Sequence, residues 1–119
     1  MDINTKTVGI KGVAGRDVPR LRVHGEGVYF NAMISKKLRL EDGQDRLAFN
    51  VEGNRAYMRY DRHGFVVRPK TRSRTAVINT KALLPAFRAA TGDTGAAEFL
   101  YTLGEFEAEK GWKLDRVEI

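Results

Sequence analysis

The sequence predicts a mostly β fold with short helices, arranged as two hairpin–helix–hairpin halves about a pseudo-twofold axis. Three observations predict it. Residues 31–43 read as a capped two-turn helix followed by a glycine turn, with an apolar strand before (Val28 to Phe30) and another after (Arg46 to Val51). Aligning Asn31 with Thr80 lays Ile34, Leu38, Leu40, Gly43 and Gln44 on Leu83, Phe87, Ala89, Gly92 and Asp93 without a gap, as an internal repeat does. Elsewhere apolar and polar residues alternate with the period of two that marks half-buried strands. The halves span residues 20–60 and 65–114 of a single domain, 1–119. Residues 1–19 read as an N-terminal arm or an edge strand, since Gly9, Gly12 and Gly15 lack the Gly-Lys-Ser/Thr ending of a phosphate loop.

In the first half, Pro19 sets off an alternating strand from Arg20 to His24, and Gly25 and Gly27 supply a hairpin turn into Val28 to Phe30. Asn31 suits a helix N-cap because its side-chain oxygen accepts from an unpaired N–H of the first turn. Ile34 and Leu38 share one face, and Lys36, Lys37 and Arg39 complement the negative end of the helix dipole. Leu47, Phe49 and Val51 alternate with polar residues, Glu52 to Arg55 is turn chemistry, and Ala56 to Tyr60 returns as the hairpin partner. Asp61 to Gly64 closes the half.

The second half begins with a strand from Gly64 to Arg68. Residues 69–74 carry no large apolar side chain, so they form a loop or an exposed hairpin tip before the returning strand, Thr75 to Ile78. Asn79 or Thr80 is expected to cap the second helix, which runs toward Gly92. Pro85 lacks the N–H of a helix interior, so this helix must kink or start late, near Leu84. Ala96 to Leu103 and Glu105 to Leu114 give the last hairpin about Gly104, with Gly111 the place for a bulge and Trp112 closing the end of the core.

The chain holds 119 residues, 42% hydrophobic and 30% charged, ordinary for one folded domain. Without cysteine it has no disulfide, thiolate metal site or cysteine nucleophile. No apolar run reaches membrane length and the first residues lack the apolar core of a signal peptide, so a cytoplasmic protein without membrane contact is expected. The net charge of +6 is uneven. Residues 1–45 carry eight Lys/Arg against six Asp/Glu, residues 46–88 ten against two, and residues 89–119 three against seven. A basic middle points to a polyanion, and an acidic end to a protein partner or a surface that repels DNA.

Arg68, Lys70, Arg72 and Arg74 recur at every second residue with only Pro69, Thr71 and Ser73 between them. An extended chain projects such a series to one side. Arginine forks suit phosphate oxygens or guanine, and Thr and Ser add hydroxyl contacts. Arg20 and Arg22 stand on the related first hairpin, which completes the candidate DNA-binding set. Catalysis, cofactors and metals are not expected. His24 and His63 sit beside turn glycines without metal-ligand spacing, and Ser35 and Ser73 have no visible base. Glu105, Glu107 and Glu109 suit the wet face of an edge strand. Tyr29, Tyr57, Tyr60 and Tyr101 are candidates for base stacking on single strands, but their alternation favours partial burial.

Asn31, Ile34, Leu38, Leu40 and Gly43, with a hairpin after them, resemble the strand–Pro–helix–Leu-Gly-Leu–x-x-Gly-Asp–strand signature of the AbrB/SpoVT/MazE swapped-hairpin family. Two copies in tandem resemble its MraZ arrangement. Asn31 and Thr80 stand where the family has proline, Arg39 where it has glycine, Gln44 where it has aspartate and Ala89 where it has leucine. The resemblance implies an AbrB-like β-barrel of two interleaved halves, here within one chain as a monomeric pseudo-dimer or in a homo-oligomer. It also implies a bacterial transcriptional regulator that contacts double-stranded DNA through basic residues on a sheet face and its loops. The alternative is a non-enzymatic assembly or adaptor module of a phage or mobile element, binding protein through the same fold.

Overall fold

The alternating segments build one antiparallel sheet. The structure is a computed structural model that describes residues 18–38, 45–70 and 75–117, and strand makes up 52% of it. Nine strands, β1 (Arg20–His24), β2 (Gly27–Phe30), β3 (Arg46–Glu52), β4 (Arg55–Tyr60), β5 (Phe65–Val66), β6 (Arg68–Lys70), β7 (Thr75–Ile78), β8 (Phe99–Glu107) and β9 (Gly111–Val117), are joined by α1 (Ala32–Leu38) and α2 (Leu83–Thr91). Their order across the sheet is β5-β3-β4-β9-β8-β1-β2-β7-β6. The two outermost strands, β5 and β6, are one stretch of chain interrupted only at Val67. Its first part pairs with β3 and its second with β7, so residues 65–70 nearly close the sheet into a barrel. Closure leaves few open edges for another strand to join.

The predicted mostly β fold with two short helices is what the chain forms. The order of strand pairing has an internal match. Exchanging β1 for the β5–β6 stretch, β2 for β7, β3 for β8 and β4 for β9 turns every pairing in the sheet into another that is present. The equivalent strands β2 and β7 share one burial pattern. Ile34 and Leu38 of α1 are buried, as are Leu83 and Phe87, their counterparts in α2.

The core lies inside the barrel and under the helices. Leu21, Val23, Val28, Phe30, Leu47, Met58, Phe99 and Leu114 turn inward from the strands. Phe87 of α2 meets Phe49 edge-on at 5.4 Å and packs 5.9 Å from both Phe99 and Tyr101. Helix α1 lies against β7 and β1, and α2 against β3, β1 and β2.

Three local expectations are corrected. Helix α2 has no side-chain cap: Ala82 precedes it in helical conformation, and Leu83 N–H donates to the Thr80 carbonyl at 3.3 Å. It starts late, as Pro85 requires, with the proline in the first turn where its missing N–H breaks no helical bond. It ends at Gly92, left-handed with φ 80°, whose N–H donates to the Arg88 carbonyl at 3.0 Å. The last hairpin reverses the parts given to its glycines. Strand β8 starts at Phe99, runs through Gly104 and turns at residues 108–110, and the register shift falls between Leu103 and Phe106. The glutamates do not form one wet strand face, because that shift interrupts the alternation at Glu105 and Glu109 lies in the turn. Residues 1–17, 39–44 and 71–74 lie outside the described residues, and with them the arm, Arg39, Leu40, Gly43, Arg72 and Arg74.

Candidate nucleic-acid interface

Opposed residues in an antiparallel sheet project from the same face, so the register of β1, β2, β7 and β6 fixes what their outer surface presents. Arg22 faces Tyr29, Tyr29 faces Val77, and Val77 faces Arg68. Buried neighbours on both sides, Leu21 and Val23 on β1 and Ala76 and Ile78 on β7, turn this row outward. A second row lies two residues along. Arg20 stands beside Asn31 at the end of β2, and Thr75 faces Lys70. Arg20, Arg22 and Arg68 therefore occupy the ends of two adjacent rows on one face, and Lys70 stands in register with Thr75 at the end of the second row. Three strand spacings of about 4.8 Å separate the β1 side from the β6 side, about 14 Å along the sheet.

An open groove of about 620 Å³ lies on this face, lined among others by Arg20, Arg22, Tyr29, Asn31, Thr75 and Leu100. Arg22 is half exposed, 5.8 Å from the centre of the Tyr29 ring, and 3.7 Å from Glu98. Asn31 sets the end of the groove. Its Oδ1 accepts from Ile34 N–H at 3.0 Å, which makes it the predicted N-cap of α1, and from Arg20 N–H at 3.1 Å. Its Nδ2 donates to the Val18 carbonyl at 2.8 Å. The Asn31 backbone carbonyl is already taken by Ser35 N–H, so the side chain replaces it in the β1–β2 ladder.

Charge is divided around the barrel. Strands β1, β2, β6 and β7 contain Arg20, Arg22, Arg68 and Lys70 and no Asp or Glu. Strands β8 and β9 contain Glu105, Glu107 and Asp115 against Lys113 and Arg116. Asp115 lies 3.8 Å from Lys113, and Arg116 is held by Asp93 at 2.7 Å. The acidic excess thus collects at the end of the β8–β9 hairpin.

The remaining candidates are engaged in structure. His24 Nδ1 accepts from Glu26 N–H at 3.2 Å, and Arg62 Nε donates to His63 Nε2 at 3.2 Å. Tyr101 is buried, Tyr29 and Tyr57 are half-buried, and Tyr60 donates its hydroxyl to the Leu38 carbonyl at 2.9 Å. Burial first, and then Asp45 nearby, lifts the Tyr60 phenol above its ordinary range, so it stays a neutral donor. Asp61 is held below the usual carboxylate range by His63 N–H and then by Arg59, and it organises the turn between the halves. Among the described residues no group of three His, Asp or Glu side chains is placed to hold a metal ion, and no helix is long and apolar enough to cross a membrane.

Sequence reasoning missed the floor between the two basic edges, because nothing local in β2 or β7 names the other as its neighbour. It also missed an aromatic tip. Phe106, 60% exposed, lies 4.9 Å from Trp112, and Trp112 lies 5.4 Å from Tyr60. No protein family, curated protein or solved structure matches this chain.

Proposed function

We propose that this chain binds double-stranded DNA through the outer face of β1, β2, β7 and β6, as an AbrB-like regulator whose two halves are related by an approximate twofold axis. One observation carries the reading: Arg20, Arg22, Arg68 and Lys70, from hairpins far apart in sequence, stand at the ends of adjacent rows on four strands that hold no acidic residue. Arginine at both edges presents donors to phosphate oxygens, and Tyr29, Asn31 and Thr75 between them offer hydroxyl and amide groups to the same backbone. Arg72 and Arg74 continue the basic series in sequence. The matched connectivity of the halves supports the twofold relation.

Fluorescence anisotropy with a labelled duplex tests this. Four phosphate contacts give a slope of log affinity against log salt of about −3.6, at roughly −0.9 per contact. Arg22→Ala with Arg68→Ala should reduce that slope by roughly 2 and weaken all duplexes alike. Glu98→Gln should tighten binding, because it frees the Arg22 guanidinium from a competing carboxylate. A double variant that binds as the parent does would refute this face, as would a Glu98→Gln variant that binds more weakly.

The second reading, a non-enzymatic assembly module that binds protein, draws on the exposed aromatic tip of the β8–β9 hairpin.

A further inference from the structure

The groove on β1 and β2 has a floor that contacts to phosphate leave unused. It encloses about 620 Å³, the size of a small-ligand site, on a surface that for backbone binding need only be flat. Two rows of outward residues cross it. Leu100, Arg22 and Tyr29 stand in register in one, Arg20 stands beside Asn31 in the other, and Thr75 of β7 also lines the groove. Residues two apart on one side of a strand are about 6.7 Å apart, which leaves a slot one flat ring wide between Tyr29 and Asn31. Leu100, Ala32 and the half-buried ring of Tyr29 make the floor apolar. Arg22 lies at its edge, with the guanidinium carbon 5.8 Å from the Tyr29 ring centre and Nε 3.7 Å from Glu98. That carboxylate lowers the positive charge of the groove, so a ligand held there depends on its ring face more than on its charge. Asn31 commits its Oδ1 to two backbone N–H groups and one amide hydrogen to the Val18 carbonyl, and it carries a second amide hydrogen as a donor.

We propose that the groove is a site for one unpaired nucleotide, with the base stacked on Tyr29 and the phosphate at Arg20. Tyrosine rings and arginine planes are what unstacked bases lie against on the sheet surfaces that bind them. The polar wall completes the match, since the Asn31 amide and the Thr75 hydroxyl are positioned along the groove for the base edge or the sugar. A duplex offers phosphates and base edges but no ring face, so the site goes beyond the duplex reading and does not rest on it. The same chemistry comes from two sources, a free nucleotide or a single-stranded stretch.

Isothermal titration calorimetry on nucleic-acid-free protein at low salt tests this with thymidine 5′-monophosphate, a single-stranded thymidine hexanucleotide and the baseless 2-deoxyribose 5-phosphate. Both base-bearing ligands should bind, each at least roughly tenfold tighter than the baseless one, as one stacked base provides. The tighter of the two identifies the source. Tyr29→Leu should weaken both by roughly tenfold, whereas Tyr29→Phe, which keeps the ring, should bind them within about twofold of the parent. Far-ultraviolet spectra check the fold. If Tyr29→Leu does not fold, Tyr29→Val takes its place, the side chain that Val77 already presents in the same row. A parent chain that takes up neither base-bearing ligand would overturn the proposal, as would a baseless ligand that binds equally well or a Tyr29→Leu variant that binds as the parent does. Duplex binding without any preference for the base would overturn this inference alone. A chain that holds the hexanucleotide through Tyr29 and ignores duplex would overturn the DNA reading alone.

Discussion

Asn31 ties three pieces of chain together with one side chain. It caps α1 through Ile34 N–H, stands in for its own carbonyl toward Arg20 N–H, and holds the Val18 carbonyl. Its role as a cap was legible in the sequence, because a short polar side chain before an apolar period of four has one good use. Its role in the ladder was not, since that depends on which strand lies beside it. Alanine there removes the cap, the acceptor of the part-buried Arg20 N–H and the exposed bond to the Val18 carbonyl, so Asn31→Ala should lose about 2 kcal/mol in denaturant unfolding. Asn31→Asp keeps the accepting oxygens, gains from the positive end of the helix dipole and gives up only the donation to Val18. It should be clearly less harmful. An alanine variant as stable as the aspartate variant would show that the side chain does no more than fill space.

At the scale of the element, strands and helices were legible where their chemistry is local. Alternation at Leu47, Phe49 and Val51 marked β3, the Gly53-Asn54 pair its turn, and Pro85 the late start of α2. The last hairpin was misread because two glycines seven residues apart suit a turn or a bulge equally well, and the difference lies in what each one meets. Gly111 has φ +96°, and a Cβ there would run into the backbone carbonyl of Met58 on β4. A Cβ on Gly104 would approach the Asp115 carboxylate and the Lys113 carbonyl at 3.0 Å, a tight fit that a flexible side chain relieves in part. Gly111→Ala should therefore lose about 3 kcal/mol, from left-handed strain and from forcing β4 and β9 apart. Gly104→Ala should lose about 1 kcal/mol. Thermal unfolding of the two variants decides it, and the reverse ranking would restore Gly104 as the turn.

For the whole molecule, the spacing of the arginines announced a basic face but not its shape. Residues spaced by two in β1 and in β6 each share a side, which sequence gives directly. That the two sides become one surface follows from the pairing of β2 with β7, a contact between halves that identical burial patterns permit without specifying. Closure is of the same kind. The chain from 65 to 70 pairs with β3 in the first half and β7 in the second, and the fully buried Val67 between its two parts donates its N–H to the Asp45 carbonyl at 3.0 Å. Both sheet ends thus depend on one side chain. Removing its two methyl groups in Val67→Ala should lose about 2 kcal/mol. The loss should also be shared: amide exchange should quicken in β3 and β7 together, more than in the β8–β9 pair on the far side of the barrel. Unfolding should remain one transition, with Trp112 fluorescence and far-ultraviolet circular dichroism coinciding, because the sheet has no place to divide into halves. Faster exchange in β7 alone, with β3 unchanged, would mean that residues 65–70 extend the second half without closing the barrel.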